Sequence, residues 1–314
     1  MLASEETPNR ARARRALSTL ERVWVWAPGE TLVRSTLFLA AAFAVLITFA
    51  IFLTLIVDAF VFFGRVSPID FYMGTRWTPD IEGRYGVLPL VVGTFIIAGG
   101  GALIGLPLGL SAAIYLREYA PAKVREIVKP TLEVLAGIPT IVYGLFALIL
   151  VSPFLQSTLG ASFFNGANAI IVIGIMIIPM VSSLSEDALT AVPLDLRDGA
   201  LALGATRFEA TGRVVVPAGF SGIAASFILA FSRAVGETMI VLIAAGQNTG
   251  IVLNIFRQTT TLSGWIAKRA TGDVAVGETV YLAMFAVGFT LFMMTLLLNL
   301  ASDRLRTRFR EVYE

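Results

Sequence analysis

The 314-residue sequence contains no cysteine and no histidine. These absences exclude disulfides, zinc sites built from Cys or His, and acid–base catalysis by histidine from this chain. Charged residues are also scarce, at 15% of the sequence, and the formal net charge is only +2. A net charge this small gives no reason to expect a nucleic-acid partner.

Apolar residues, in contrast, make up 56% of the sequence, and the mean hydropathy is +0.80. They occur in runs of about 20 residues or more, which is the length a helix needs to cross a hydrocarbon core of about 30 Å. A transmembrane β-barrel would instead show short alternating segments. The sequence therefore predicts an all-α integral membrane protein with about six transmembrane helices. The predicted spans are 35–63, 87–116, 132–155, 169–189, 214–245 and 279–301.

Basic residues concentrate in alternate connections between these spans. On one side lie Arg10, Arg12, Arg14, Arg15, Arg22, Arg117, Lys123, Arg125, Lys129, Arg197, Arg207, Arg213, Arg304, Arg306, Arg308 and Arg310. The other side has only Arg65, Arg76, Arg84, Arg257, Lys268 and Arg269. By the positive-inside rule, both termini of this multi-pass inner- or plasma-membrane protein are cytoplasmic. The chain divides into a basic amino-terminal segment (1–34), a transmembrane domain (35–301) and a basic tail (302–314).

Two features of the apolar regions have more than one interpretation. Gly101, Gly105 and Gly109 are spaced four residues apart and predict a face on which another helix packs closely. A phosphate-binding glycine loop is the weaker alternative, because no Lys-Ser or Lys-Thr follows. The external connections 64–86 and 246–277 contain Trp77 and Trp265, which either anchor the chain at the membrane interface or help to contact an external protein. A further alternative for the connection 246–277 is that it dips partway into the membrane.

The cytoplasmic connection 190–217 predicts two short helices that meet at a sharp corner. Pro193 suits the first turn of a helix, and Gly204 suits a left-handed cap at its end. Thr206 and Glu209 have the spacing of a capping box that begins a second helix. Leu201, Leu203 and Phe208 then lie close to the corner. This connection either lies on the lipid headgroups or transmits force from a cytoplasmic partner.

The fifth predicted span contains two ionisable residues, Arg233 and Glu237. At i and i+4 they would share one face of a helix. Each charge at the bilayer centre costs about 2.5–3.5 kcal/mol on insertion scales, so the pair is expected to face the protein interior or an aqueous path. Two interpretations remain open: an ion pair that packs the bundle, or a guanidinium that binds an oxyanion through a bidentate fork.

The connection 190–217 resembles the signature loop of ABC-importer permeases. That loop has Glu-Ala-Ala, three residues, Gly, nine residues, and Ile-x-Leu-Pro. The same spacing places Asp198, Gly199 and Ala200 at the first positions, Gly204 at the glycine and Pro217 at the proline. The resemblance implies that this loop, with Leu203 and Phe208, docks on a nucleotide-binding subunit. Because the sequence has no Walker A loop, the ATP, its magnesium and the ATPase activity are expected on a separate chain.

Three further stretches resemble PstC-type permease subunits of phosphate-specific importers. They are Trp77–Pro79 with Tyr85–Pro89 and Gly93–Thr94, then 107–121 with 133–144, and finally 232–239, which ends Gly-Glu-Thr-Met. The resemblance implies the type I importer permease fold and a part for Arg233 and Glu237 in phosphate passage. It also implies a PstA-like sister permease, two PstB-like ATP-binding subunits and an external PstS-like phosphate-binding protein.

Other functions are compatible with parts of this pattern. A permease for molybdate or sulfate would share the loop and the guanidinium. An ion-gradient carrier would need no ATPase, and the matched loop spacing argues against it. A membrane scaffold would show no uptake defect on deletion. The sequence predicts a transport subunit that is not itself an enzyme and holds no cofactor.

Overall fold

The computed structural model describes residues 28–272 and 274–308. Helix α1 (Pro28–Phe63) is a 36-residue apolar helix that begins inside the predicted segment 1–34. Of the described residues, 28–55 form one compact unit, and those from 56 onward form a second. In the first unit nearly all large apolar side chains are exposed, as expected of a helix surrounded by lipid. The arginines at positions 10 to 22 and at 310, which are predicted to be cytoplasmic, lie outside the described residues.

After α1 the chain forms a small, rigid connection. It consists of α2 (Pro68–Met73) and the antiparallel strands β1 (Trp77–Thr78) and β2 (Arg84–Tyr85). Trp77 is buried and packs edge-to-face on Trp265 with ring centroids 4.8 Å apart. The interpretation of these tryptophans as interfacial anchors is therefore wrong, because the two rings form a core between distant segments. Contact of these connections with an external protein stays a prediction.

The long helices α3 (Leu88–Ile114) and α7 (Gly166–Thr190) form the centre of the second unit. A π-helical turn, Tyr115–Tyr119, continues α3. Gly101 and Gly109 face Ile173 and Val181, and a Cβ added at either glycine would approach these side chains to within 2.9 Å and 2.6 Å. The predicted close packing along the glycine face is confirmed.

The third span begins later than predicted. Helix α4 (Ala122–Ala136) is amphipathic and has no buried residue, and the chain breaks at 137–139. The membrane-length segment is α5 (Thr140–Phe146), a π-helical turn (Ala147–Val151) and α6 (Ser152–Leu159). The predicted start at 132 is wrong because Pro139 disfavours helical backbone at the residue before it and supplies no N–H.

The fifth span is not one helix. Helices α8 (Leu194–Ala202) and α9 (Arg207–Ala210) lead through a π-helical turn (Thr211–Val215) into α10 (Val216–Ala218). The chain then bends by 71° into α11 (Phe220–Val235) and breaks again before α12 (Met239–Ala244). The predicted continuous span 214–245 is therefore wrong, since Pro217, Gly219 and Gly236 interrupt it.

Residues 245–261 connect α12 to α13 (Leu262–Ala270), and α14 (Thr279–Arg308) is the last helix of the described residues. Within this segment Thr259, Thr260 and Thr261 are buried, and the Leu262 amide donates to Thr94 Oγ1 of α3. Among the described residues, five helices have the length and composition to cross a membrane, and the bent pair brings the number to six. The all-α membrane fold is confirmed.

Candidate functional site

The connection between α8 and α9 forms the sharp corner that the sequence predicts. Gly204 has φ +90°, in the left-handed region that favours glycine. Thr206 Oγ1 accepts from the Glu209 amide, and the Thr206 amide donates to Glu209 Oε2 at 3.0 Å. The backbone amide and hydroxyl of Thr206 lower the pKa of the Glu209 carboxyl below its ordinary value. The predicted capping box is confirmed, and it begins α9 directly after the turn.

This corner presents apolar side chains to its surroundings. Leu203 is 91% exposed and Phe208 is 79% exposed, whereas Leu201 is half-buried. Asp198, Gly199 and Pro217 are exposed, and Ala200 is half-buried. Large apolar side chains held on a rigid turn are suited to fill a pocket on another protein.

An ion pair that the sequence did not suggest ties this corner to the second span. Arg197 Nη1 of α8 lies 3.4 Å from Glu118 Oε2 in the π-helical turn after α3. The Glu118 side chain is almost fully buried, and Arg117 Nε lies 3.9 Å from its other oxygen. A charged contact therefore connects α8 to the end of α3.

A second ion-pair cluster connects α4 to α7. Glu186 is 1% exposed, and its carboxylate accepts hydrogen bonds from Arg125 and from Lys129 Nζ at 2.5 Å. Lys129 also contacts Asp187 at 3.1 Å. The hydrogen bond to Glu186 raises the pKa of Lys129 above its ordinary value. Because that pKa is raised, the contribution of Lys129 to stability is complete at neutral pH and is lost only as the pH rises through the elevated value.

No spacing rule relates residues 61 positions apart, so periodicity did not reveal this cluster. The available signal was Glu186 itself, an acidic residue near the end of an otherwise apolar span.

Arg233 and Glu237 are not placed on one helical face. Helix α11 ends at Val235, and Glu237 lies in the break before α12. The predicted i,i+4 pair is wrong because Gly236 ends the helix between the two residues. Among the described residues, the Arg233 side chain forms no ion pair or hydrogen bond, and the residue is exposed. It lies within electrostatic reach of the Tyr143 hydroxyl in α5.

Glu237 is 7% exposed and caps the next helix. Its Oε1 accepts hydrogen bonds from the Met239 and Ile240 amides at 3.1 Å and 3.2 Å. Ser263 Oγ of α13 donates to the Glu237 carbonyl at 2.7 Å. Glu237 therefore holds the break in the fifth span in a defined conformation, since it satisfies two amides at the positive end of α12.

Comparisons with known proteins agree with this fold. The family model described as "Binding-protein-dependent transport system inner membrane component" matches residues 105–311. A probable ABC transporter permease protein, YqgH of Bacillus subtilis, is 35% identical over 248 residues, covering 77% of this chain and 79% of that protein. A phosphate transport system permease protein, PstC of Mesorhizobium japonicum, is 34% identical over 249 residues, covering 73% and 75%.

A solved structure shares the fold at low identity. It is a bacterial alginate ABC transporter in complex with an alginate pentasaccharide-bound periplasmic protein. It is 17% identical with a TM-score of 0.61, and the match covers 89% of this chain and 96% of that one. The family match covers most of the chain and agrees with the helical membrane fold. The chain belongs to the inner membrane components of binding-protein-dependent transport systems.

Proposed function

We propose that this chain is the permease subunit of an ATP-driven importer that carries inorganic phosphate across the cell membrane. The observation that carries this proposal is the 34% identity, over about three quarters of the chain, to a protein named as a phosphate transport permease. The exposed residue Arg233 at the break in the fifth span supports it, because a guanidinium suits the geometry of phosphate.

The α8–α9 corner is the surface that contacts the ATP-binding subunit. Leu203 and Phe208 dock on an ATP-binding subunit, and the Arg197–Glu118 ion pair passes the movement of α8 to the second span. The ATP and its magnesium belong to that partner, so this chain holds no cofactor and catalyses no reaction. ATP-driven closure of two such subunits would tilt the helices as rigid bodies between two access states.

The complex contains a PstA-like sister permease, two PstB-like ATP-binding subunits and an external phosphate-binding protein. Both termini face the cytoplasm, and so does the connection 190–217. The hairpin of β1 and β2 then faces outward, because one span, α1, separates it from the cytoplasmic amino terminus. The asymmetry of basic residues supports this orientation.

Arg233 provides a weak, transient site for phosphate along the path. Glu237 does not pair with it; instead Glu237 fixes the break that ends α11 two residues after Arg233. An unpaired guanidinium holds an oxyanion without the competition of a permanent carboxylate partner. Weak binding is required here, since a substrate that binds tightly does not leave the path.

Phosphate uptake into proteoliposomes containing the whole complex tests this role. Arg233→Gln is expected to reduce uptake at least about tenfold, the effect of losing one charge-assisted contact, while the complex still assembles. Arg257→Gln is the matched control, because Arg257 is an exposed arginine outside the path. Uptake by Arg233→Gln equal to that of the control would refute the role. Stronger inhibition by sulfate or molybdate than by phosphate would assign another oxyanion as the substrate.

A further inference from the structure

A cavity of about 950 Å³ lies against the hairpin of β1 and β2. It is bordered by the chain that follows α1, by α2, and by the residues on both sides of the strands. Its volume is within the range of ligand pockets, about 300–1,000 Å³. We call it the hairpin cavity.

Arginine dominates the charge of the hairpin cavity. Arg65, Arg76 and Arg84 line it, and among the described residues Asp70 is the only acidic residue that does so. The sequence has just six basic residues on this side of the predicted topology, so half of them border one cavity. Such a concentration is contrary to the usual depletion of arginine from external connections.

The three guanidinium groups differ in availability. Arg65 Nη1 donates to the Gly277 carbonyl at 2.9 Å, and Arg84 Nε lies 2.9 Å from Glu82. The Arg76 side chain makes no hydrogen bond or ion pair to any part of the chain that the structure describes. Its donors therefore remain available to an anion, with the other two cations nearby.

The backbone that carries these arginines is rigid. The Gly86 amide donates to the Arg76 carbonyl at 3.0 Å, and Thr78 pairs with Arg84 across the strands. Gly74 and Gly86 touch so closely that a Cβ on Gly74 would lie 2.5 Å from the Gly86 Cα. Beneath them Trp77 packs on Trp265. A fixed arrangement of donors loses little freedom when a ligand binds.

We propose that the hairpin cavity binds an oxyanion of the phosphate class. The anion is either free inorganic phosphate or the phosphate of a lipid headgroup, because both present the same oxygens to Arg76. This inference rests on the proposed function and extends it: the cavity retains phosphate at the outer end of the permease before it enters the path. Because the arginines are exposed, the binding is weak and salt-dependent.

Binding of radiolabelled inorganic phosphate to the whole complex in nanodiscs of zwitterionic lipid tests the proposal. The external binding protein is left out, and every variant carries Arg233→Gln so that the path does not contribute. Arg76→Gln is expected to weaken binding about five- to tenfold, and Asp70→Asn to strengthen it about two- to fivefold, because they change the cavity charge in opposite directions. Lys268→Gln, an external cation outside the cavity, is expected to change binding less than about twofold.

Lipid retention distinguishes the two sources of the anion. The complex is extracted from membranes containing phosphatidylglycerol, and its bound lipids are measured by native mass spectrometry. Loss of retained anionic lipid in Arg76→Gln, with phosphate binding unchanged, assigns the cavity to lipid headgroups. The proposal is overturned if Arg76→Gln and Arg76→Gln/Arg84→Gln alter neither phosphate binding nor lipid retention.

The experiments distinguish failure of the proposed anion binding in the cavity from failure of the proposed function. Phosphate uptake by the wild-type complex tests the function, whereas the Arg76 and Asp70 variants test the cavity. Normal uptake by the wild-type complex, with phosphate binding and lipid retention both unchanged in these variants, refutes the cavity alone. Absence of wild-type phosphate uptake refutes the function, whatever the variants show.

Discussion

Glu186 shows how a single buried charge fastens an otherwise exposed helix. The carboxylate is enclosed in α7, and both of its cationic partners project from α4, which has no buried residue of its own. Substitution by Gln removes two charge-assisted hydrogen bonds. We expect Glu186→Gln to lower the free energy of unfolding in detergent by about 1–3 kcal/mol, a range reduced because both cations are partly exposed.

The neighbouring acid provides the control for this prediction. Asp187 also contacts Lys129, but its side chain is 61% exposed. Asp187→Asn is therefore expected to change the free energy of unfolding by less than about 0.5 kcal/mol, the usual contribution of a surface ion pair. Equal effects of the two substitutions would show that the burial of Glu186 contributes nothing.

The sequence identified Arg233 and Glu237 as candidate site residues but did not predict how they are arranged in space. Their chemistry was visible because charged residues are rare in apolar spans. Their pairing was inferred from helical periodicity, which assumes that the helix continues. Gly236 ends α11, and the Glu237 carboxylate bonds instead to the amides that the break leaves free. The geometry depends on a local interruption that periodicity does not reveal.

The close packing of α3 on α7 depends on glycines in α3, which have no side chain. An added Cβ at Gly105 would lie 2.6 Å from the Gly174 carbonyl oxygen and closer still to the Ile177 side chain. Since the carbonyl belongs to the backbone, it cannot rotate away. We expect Gly105→Ala to destabilise the folded chain by about 1–3 kcal/mol, measured as thermal unfolding in detergent.

Gly99 in the same helix is the comparison. No atom outside its own helix lies within 4 Å of a Cβ added there. Gly99→Ala is thus expected to leave stability unchanged or to raise it by up to about 1 kcal/mol, since alanine favours helices over glycine. Destabilisation by both substitutions to the same degree would mean that contact with α7 is not the cause.

Among the elements, those with strong composition signals were predicted well and those with internal breaks were not. The second and fourth spans agree with α3 and α7 to within a few residues, and the sixth begins where α14 begins, although α14 continues from the predicted end at 301 to Arg308. The third and fifth spans contain proline or glycine at their interruptions, yet hydropathy averaged over a window does not fall there. The corner at Gly204 was predicted because it depends on local backbone chemistry: a positive φ and a capping box.

At the scale of the whole molecule, contacts between distant segments were beyond the sequence. Trp77 and Trp265 looked like interfacial residues separately, but together they form the core beneath the hairpin. The buried threonines before α13 likewise pack on α3, with the Thr260 carbonyl directly against Gly93. Composition assigned both segments to external connections and offered a dip of 246–277 into the membrane as an alternative, but it did not predict the residues that each segment contacts.

The proposed docking of this permease on a separate ATP-binding subunit depends on Phe208. The side chain is 79% exposed in the isolated chain, so Phe208→Ala should change the stability of that chain by less than about 0.5 kcal/mol. If the ring fills a groove on an ATP-binding subunit, its truncation removes a buried aromatic anchor. We expect the affinity of that subunit for the permease to fall at least about tenfold.

Ile81→Ala offers a matched control for this measurement. Ile81 is an apolar residue, 87% exposed, in the hairpin connection on the opposite side of the proposed topology. Its truncation should alter neither binding of the ATP-binding subunit nor ATP hydrolysis by the complex. If Phe208→Ala behaved like Ile81→Ala, the exposed corner would not be the contact with the ATP-binding subunit. That result would favour the alternative interpretation of the connection 190–217, in which the corner lies on the lipid headgroups.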